Sequence, residues 1–474
     1  MHHRSSTLAR AVRLTTLAAL AAPASSLAGG FSLNEQSASA MGTANAGAAA
    51  NPENATTVLF NPAGMSQLSG TNISFGAAVL DIDAEASDDS AQAVNQLGQP
   101  VSGSGGGDIA DPAVLPNFYL THEVSESIDV GFGIHAPYGL AADYEDDFAG
   151  RYFADETELT VIAFTPSISV SNGEGLSMGA GINLMYAEGK LTRFLDNSAA
   201  SLAVSSQNGT PNPSLYDQGY ADIEGDDIGV TFRVGFLYEL SNRTQFGLSA
   251  QTGTELNLKG DAKLSNFVDP ANGVITPTNA FEKVEVPLAI PESVTLGARH
   301  KLTNQVTLLA GATYAKWSRF EELDIVSREA GGEITGAPQE GAILSHVTEK
   351  WQNTWQFNVG AIWQASPEWA FKTGYAFDES PVNENFVTAR IPSNDRHWLT
   401  LGAQWADAQS GWVVDVAAGT LIFDGDARVN ERNYQHENPT QVAELRPGLE
   451  DPSNYRGSYD LSAWSAAIEV SKSF

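Results

Sequence analysis

Cysteine is absent from the sequence. That absence removes disulfides, thiolate metal ligands and thiol nucleophiles together. Cations are scarce as well: 25 Lys and Arg stand against 57 Asp and Glu, a formal charge of −32. Residues 1–28 hold Arg4, Arg10 and Arg13 and no acid, so without them the balance is 22 against 57, or −35. A chain of that charge repels phosphates, and nucleic acid is not an expected partner. No apolar run approaches the roughly 20 residues that a membrane-spanning helix needs, which excludes a helical membrane protein. The eight His fall in no HExxH-like spacing, so neither a metal nor a cofactor is expected. Acidity alone would suit a disordered chain. The 42% hydrophobic residues and nine Trp do not.

What is present begins with an export signal. Residues 1–28 have a basic head, a short apolar core from Leu14 to Ala22, and small residues at Ser26-Leu27-Ala28. This is the form of a secretory signal peptide, with cleavage expected before Gly29. A chain of 474 residues would ordinarily hold two or three soluble domains. A single many-stranded barrel is the main exception, so an exported soluble protein and a β-barrel both remain.

The strand period decides between them. From Trp351 to Gln364, the odd positions include Trp351, Trp355, Phe357, Val359 and Trp363, while the even ones are mainly polar or small. A period of two marks a strand with unlike faces. The same alternation runs through Val230 to Leu240 and through Trp464, Ala466, Ile468, Val470 and Phe474. About fourteen such segments fill residues 70–474. Their links sort by length. Tight ones near 124–125, 172–174, 241–242, 303, 366 and 408–409 alternate with long ones at 85–112, 139–156, 196–225, 261–280, 323–345, 380–394 and 428–456. Short periplasmic turns and long outer loops are the mark of a transmembrane barrel; a soluble sandwich has no reason to sort its loops.

The expected fold is therefore all-β: an antiparallel transmembrane barrel of about fourteen strands in a bacterial outer membrane. Outer-membrane lipid and lipopolysaccharide would surround it as a monomer, with Trp at the interfaces. The terminal Phe474, on an apolar strand face, resembles the signal by which such proteins engage the barrel-assembly machinery. Residues 29–69 do not alternate and are rich in Ala and Gly; they are expected to form a hatch that plugs the lumen. Gly175-Leu176-Ser177-Met178-Gly179 fits the pattern of a nucleophile elbow, but that elbow needs a strand–turn–helix, and Ser177 opens an alternating strand. No enzyme is expected. The acidic run Asp143-Tyr144-Glu145-Asp146-Asp147 is expected to be a solvated loop.

Particular motifs narrow the reading. Gly30-Phe31-Ser32-Leu33-Asn34-Glu35-Gln36-Ser37 and Asn61-Pro62-Ala63-Gly64-Met65 lie near the start. Pro137-Tyr138-Gly139-Leu140, the stretches from Tyr186 to Phe194 and from Gly235 to Leu240, and Trp317-Ser318-Arg319-Phe320 follow. Gly374 to Val382 and Arg390-Ile391-Pro392 through Trp398 complete the set. Together these resemble the long-chain fatty-acid transporter family of outer-membrane proteins, which includes aromatic-hydrocarbon channels. The resemblance implies a fourteen-stranded barrel, an amino-terminal hatch and passive uptake of a long-chain fatty acid or another hydrophobic small molecule. It also implies lateral exit through a kink in the third strand. A bilayer suits such cargo, since each buried CH₂ favours lipid over water by about 0.8 kcal/mol.

The resemblance carries candidate residues with it. Arg193 matches the family's carboxylate-binding Arg, and its odd position points it inward. The family's second cation falls near Lys350 and Gln352, both expected to face the lumen by the parity of Trp351. Phe31 belongs to the ligand pocket, and Asn61, Pro62 and Ala63 to hatch gating. In the third strand Ile128, Val130, Phe132 and Ile134 are expected to face lipid. Gly131, Gly133, Ala136, Pro137 and Gly139 would form the exit kink: two glycines leaving inward space, a Pro without an N–H for the ladder, and a Gly free of ordinary backbone limits. The blander alternative ends the strand at Ala136. Alternatives in function are a neutral aromatic-hydrocarbon channel, a diffusion porin, which an internal hatch argues against, and an outer-membrane lipase or protease, for which no acid–base pair stands out.

Overall fold

The computed structural model describes residues 30–87, 90–432 and 452–474; the expected cleavage site lies outside them. Fourteen antiparallel strands form the barrel wall. They are β1 (Thr71–Ala86), β2 (Ala113–Ser125), β3 (Ile128–Asp143), β4 (Glu156–Phe164 and Ser167–Ser171), β5 (Leu176–Leu195), β6 (Gly219–Glu239) and β7 (Thr244–Gln251 and Thr254–Asp269). There follow β8 (Val274–Ile290 and Ser293–Lys301), β9 (Val306–Ala315 and Glu322–Ser327), β10 (Ile343–Thr348 and Thr354–Gln364) and β11 (Trp369–Asp378). The last three are β12 (Arg396–Asp407), β13 (Trp412–Phe423 and Ala427–Arg432) and β14 (Asn454–Ser473). The last strand pairs with the first, Phe75 opposite Val470 and Ala84 opposite Leu461, so the wall closes on itself. Closure matters because lipid offers no partner to a bare backbone N–H or C=O.

The two faces divide as the alternation requires. On β6, Val230, Phe232, Val234, Phe236 and Tyr238 are exposed, while the inward Thr231, Gly235 and Leu237 are buried. Six of the nine Trp are exposed on the wall: Trp355, Trp363, Trp369, Trp405, Trp412 and Trp464. Trp317, Trp351 and Trp398 are buried inside instead. The expected strand over Trp351–Gln364 is thus shorter than the alternation suggests. It begins at Thr354, and Trp351 turns inward across a break in β10. The long connection expected at 261–280 is also a strand pair. β7 and β8 run past the wall and meet at the turn Pro270–Asn272, closed by Gly273 at φ 82°. Their outer ends pair with each other, Lys263 opposite Phe281, far above any membrane-spanning need.

Residues 30–70 fill the lumen with short turns of helix: α1 (Ala38–Met41), α2 (Thr57–Phe60) and two 3₁₀ turns at Ala48–Ala50 and Pro62–Gln67. Helices this short are unstable alone, and wall contacts hold them. The first and last wall strands meet at the tight-turn rim, where the Phe474 N–H donates to the Thr71 carbonyl at 2.9 Å. The Phe474 ring is exposed and lies under the Lys472 ammonium. Deleting Phe474 is expected to lower the heat-modifiable, folded fraction in outer-membrane preparations. Normal assembly of the deletion would show that the terminal ring is dispensable.

Candidate functional site

The third strand does not end at Ala136. It continues to Asp143, and Pro137 sits within it at a bulge against β4, where pairing steps from His135–Ala163 to Tyr138–Val161. On its other side, β3 pairs with β2 only as far as Ile134 opposite Phe118. Beyond that point Ala113–Asn117 of β2 still pair with β1, and β3 leans away. The wall therefore has a gap between β2 and β3. Loop residues bridge its outer end, since Asp143 N–H donates to the Ile109 carbonyl at 2.9 Å. At the gap's edge the Asn117 Oδ1 and the His135 Nδ1 are buried without partners.

The other expected kink residues contribute differently than their sequence suggests. Gly131 and Gly133 leave no empty space: a Cβ at Gly131 would lie 2.4 Å from the Met65 sulfur and 2.7 Å from Val58, both of the hatch. Gly139 is not in the left-handed region. Its N–H donates to the Phe31 carbonyl at 2.9 Å, and Leu33 N–H donates to the Pro137 carbonyl at 3.1 Å. Gln36 Nε2 donates to the Ala136 carbonyl at 2.6 Å. The start of the hatch thus takes the hydrogen bonds that β2 gives up.

This pairing places Phe31 at the centre of an aromatic cage. Its ring centroid lies 4.7 Å from Trp317, 5.7 Å from Trp351, 5.9 Å from Tyr138 and 6.1 Å from Phe320. On one side of Phe31 is a small apolar cavity of about 50 Å³, walled by Leu140, Leu159, Leu191, Leu258, Leu288 and Phe320 and reached by Arg390. On the other side is a chamber of about 210 Å³, lined by Tyr138, Trp317, Pro137, His135 and Arg233. Above, under the outer loops, lies a cavity of about 700 Å³ lined mostly by apolar side chains, with Arg193 on its wall. Ile223 lines both the outer and the apolar cavity, and Tyr138 and Trp317 border both the cage and the chamber. Phe31 lines the apolar cavity, and the next residues, Ser32 and Leu33, line the chamber, whose wall includes His135 and Pro137 of β3.

Of the cations expected at the ligand, Arg193 does point inward, into the outer cavity. Lys350 and Gln352 do not join it. They lie in the break within β10, where Lys350 has φ 47° and the parity of Trp351 no longer applies. The Lys350 ammonium pairs with Glu321 at 3.2 Å, and Gln352 is exposed. Arg390, from the 379–395 loop, takes the inner position. It donates to Thr157 Oγ1 and the Thr192 carbonyl, both at 2.8 Å, and so clips the loop to β4 and β5. Burial, with the Arg193 charge nearby, brings the Arg390 pKa down to about 10, which leaves it cationic at neutral pH. The Arg390-Ile391-Pro392 motif was visible in the sequence, but nothing in it tells that a loop Arg folds back into the lumen.

The hatch is fixed to the wall by polar contacts. Asn61 Nδ2 donates to the Phe236 carbonyl of β6 at 2.9 Å, and Asn61 Oδ1 accepts from Ala63 N–H at 3.1 Å, so Pro62 is held in a capped turn. Gly235 is required there, since a Cβ would fall 2.0 Å from Asn61 Oδ1. Ser177 meets Ser66 at 2.7 Å, a hatch contact rather than an elbow. Lys372 of β11 is buried and reaches Glu53 of the hatch at 2.6 Å, Asp415 of β13 at 2.9 Å and the Ser39 carbonyl at 3.1 Å. Outside the lumen, Asp324 and His346 are cross-strand partners with Glu322 close by, a juxtaposition that sequence spacing hides. Both His346 ring nitrogens are engaged, by Asp324 at 2.6 Å and Thr348 at 3.1 Å.

The family model described as outer membrane protein transport protein (OMPP1/FadL/TodX) matches residues 18–474. The chain is 29% identical over 410 residues to a 47 kDa outer membrane protein of Pasteurella multocida, covering 85% of this chain and 89% of that one. It is 27% identical over 428 residues to the long-chain fatty acid transport protein of Escherichia coli, covering 86% and 91%. Among solved structures, a Pseudomonas aeruginosa FadL homologue superposes with a TM-score of 0.80 at 21% identity, covering 94% of this chain and all of that one. The Pseudomonas putida toluene transporter TodX superposes with a TM-score of 0.64 at 17% identity, covering 94% and 99%.

Proposed function

The chain belongs to the OMPP1/FadL/TodX family and is an outer-membrane transporter of hydrophobic compounds; we propose that its cargo is long-chain carboxylic acids, which leave sideways through the β2–β3 gap. One observation carries the choice of cargo. The apolar cavity beside Phe31 is walled mostly by hydrocarbon and by the buried guanidinium of Arg390, with Glu158 and Lys190 also on its lining; Lys190 is paired with Glu156, whereas Arg390 forms no ion pair among the described residues. Arg193 stands earlier on the same route, in the outer cavity, whose size is typical of small-molecule sites, roughly 300–1,000 Å³. A carboxylate can be captured outside by Arg193 and passed inward to Arg390. Arrival would displace the Phe31 segment, and with it the hydrogen bonds that cover Pro137 and Gly139. Asn61-Pro62-Ala63, as a fixed turn on the wall, would keep the rest of the hatch in place while that segment moves.

Arg390→Gln is expected to weaken oleate binding by about 1.5–3 kcal/mol, the range for hydrogen bonds to charged groups. Oleyl alcohol, which lacks the charge, should bind almost unchanged. Arg193→Ala is expected to cost about 1 kcal/mol in the same comparison, since its site is more open. Quenching of Trp317 and Trp351 fluorescence on titration reads both. Equal losses for acid and alcohol would make these arginines structural. The four rings around Phe31 favour a second reading, passage of flat neutral arenes. Labelled toluene taken up in preference to oleate would decide for it.

A further inference from the structure

Arg233 projects from β6 into the chamber beside the gap, and it pairs with no acid of the described residues. Its Nη2 donates to the Gln251 side chain, its Nε is buried without a partner, and no carboxylate of the described residues forms an ion pair with it. The groups of variable charge that face it are the phenols of Tyr119 and Tyr138 and the ring of His135. The contrast with neighbouring inward cations is direct. Lys372 sits between Glu53 and Asp415, and Arg396 grips Asp378 through two nitrogens at 3.0 and 2.8 Å. Asp378 also lines the chamber but is committed to Arg396. A guanidinium inside a protein without a counter-charge is destabilising unless something else supplies one.

We infer that the chamber is a second anion site, in which Arg233 receives the carboxylate of the amphiphile once it has passed Phe31. The inference rests on the reading of the chain as a transporter with lateral exit, and adds a site to it. Three features fit a monoanionic head. First, a single guanidinium faces it, with neutral donors around: Tyr138 OH already accepts from Gln251 at 3.3 Å and keeps its own proton for another acceptor. A phosphate dianion would call for a second cation, and a neutral arene gives a guanidinium's N–H donors no acceptor. Second, the chamber's 210 Å³ is room for about seven water-sized groups at roughly 30 Å³ each, enough for a carboxylate and its first methylenes. Third, the chamber is bordered by Pro137 on the strand that leans away from β2. A head held by Arg233 therefore leaves the hydrocarbon tail at the opening, with Leu33, Leu59 and Phe60 as its apolar floor. Arg390 and Arg233 would then be successive stations on either side of the Phe31 ring.

The test is a titration of full-length protein carrying Arg193→Ala, which removes the outer cation and leaves the two inner ones, in non-ionic detergent with laurate carrying ¹³C at the carboxyl carbon. Two bound carboxylate resonances are expected. Arg233→Gln should remove one and Arg390→Gln the other, with Arg233→Lys keeping both. Heat-modifiability on gels checks that each variant is folded. A single resonance that survives Arg233→Gln overturns the inference. So does loss of both resonances in a folded Arg233→Gln protein, which would make Arg233 structural. Uptake of labelled oleate by cells is the separate arm: Arg233→Gln should slow it at least several-fold and leave oleyl alcohol uptake unchanged. Two resonances in a protein whose cells take up no oleate would leave the anion site standing and remove the transport reading.

Discussion

A protein carrying Pro116→Cys and Ala136→Cys, bridged by a short thiol-reactive linker, is expected to lose nearly all oleate uptake and to regain it when a cleavable linker is cut. The pairing follows from register. β2 and β3 are matched as far as Phe118–Ile134, and two further steps of the same ladder would set Pro116 opposite Ala136. In the protein as it stands those steps are missing, so a covalent bridge there holds shut the opening the cargo would use. Because the chain has no Cys of its own, the two introduced thiols are the only targets. Oleate binding should persist, since Phe31, Arg390 and Arg193 are untouched. Uptake at the unbridged rate would refute exit between β2 and β3.

Lys372→Met should unseat the hatch. The ammonium is shared by a hatch carboxylate and a wall carboxylate, both within 3 Å. Removing one partner of a buried charge group typically costs about 3–5 kcal/mol, because the charges left behind have no compensation. Here the remaining pair, Glu53 and Asp415, would also repel. The barrel ladder does not depend on this contact, so the folded, heat-modifiable form should survive while liposomes bearing the variant begin to swell in arabinose. Adding Glu53→Gln and Asp415→Asn removes the stranded charges and should restore most of the seal, a coupling that a mutant cycle isolates. A Lys372→Met protein that stays sealed would show that the other hatch contacts suffice.

Much of the architecture was legible because a barrel wall writes a period of two into each strand and sorts its links by side. The strand number, the inner hatch and the inward turn of Arg193 all follow from that pattern. It fails where a strand breaks. Parity carried back from Trp355 to Trp351 puts that ring in lipid, whereas the break before Thr354 turns it onto Phe31, and the expected roles of Lys350 and Gln352 turn with it. Pro137 could be read as a strand end or as a kink, since both follow from a missing N–H; only the pairing of Tyr138 with Val161 separates them. The inner cations were not legible at all. Arg390 lies in a loop and Arg233 on an ordinary alternating strand; burial singles out the first and the lack of an ion pair among the described residues the second, and both depend on residues far away in the chain.

The most direct measurement is uptake of ¹⁴C-oleate by intact cells in which this chain is the sole transporter of its family. Saturable uptake above cells lacking the chain, competed by laurate and unaffected by arabinose, is the expected result. Uptake no higher than in cells lacking the chain, with ready swelling of protein-bearing liposomes in arabinose, would mean that the barrel is an open polar pore and not a carrier of hydrophobic acids.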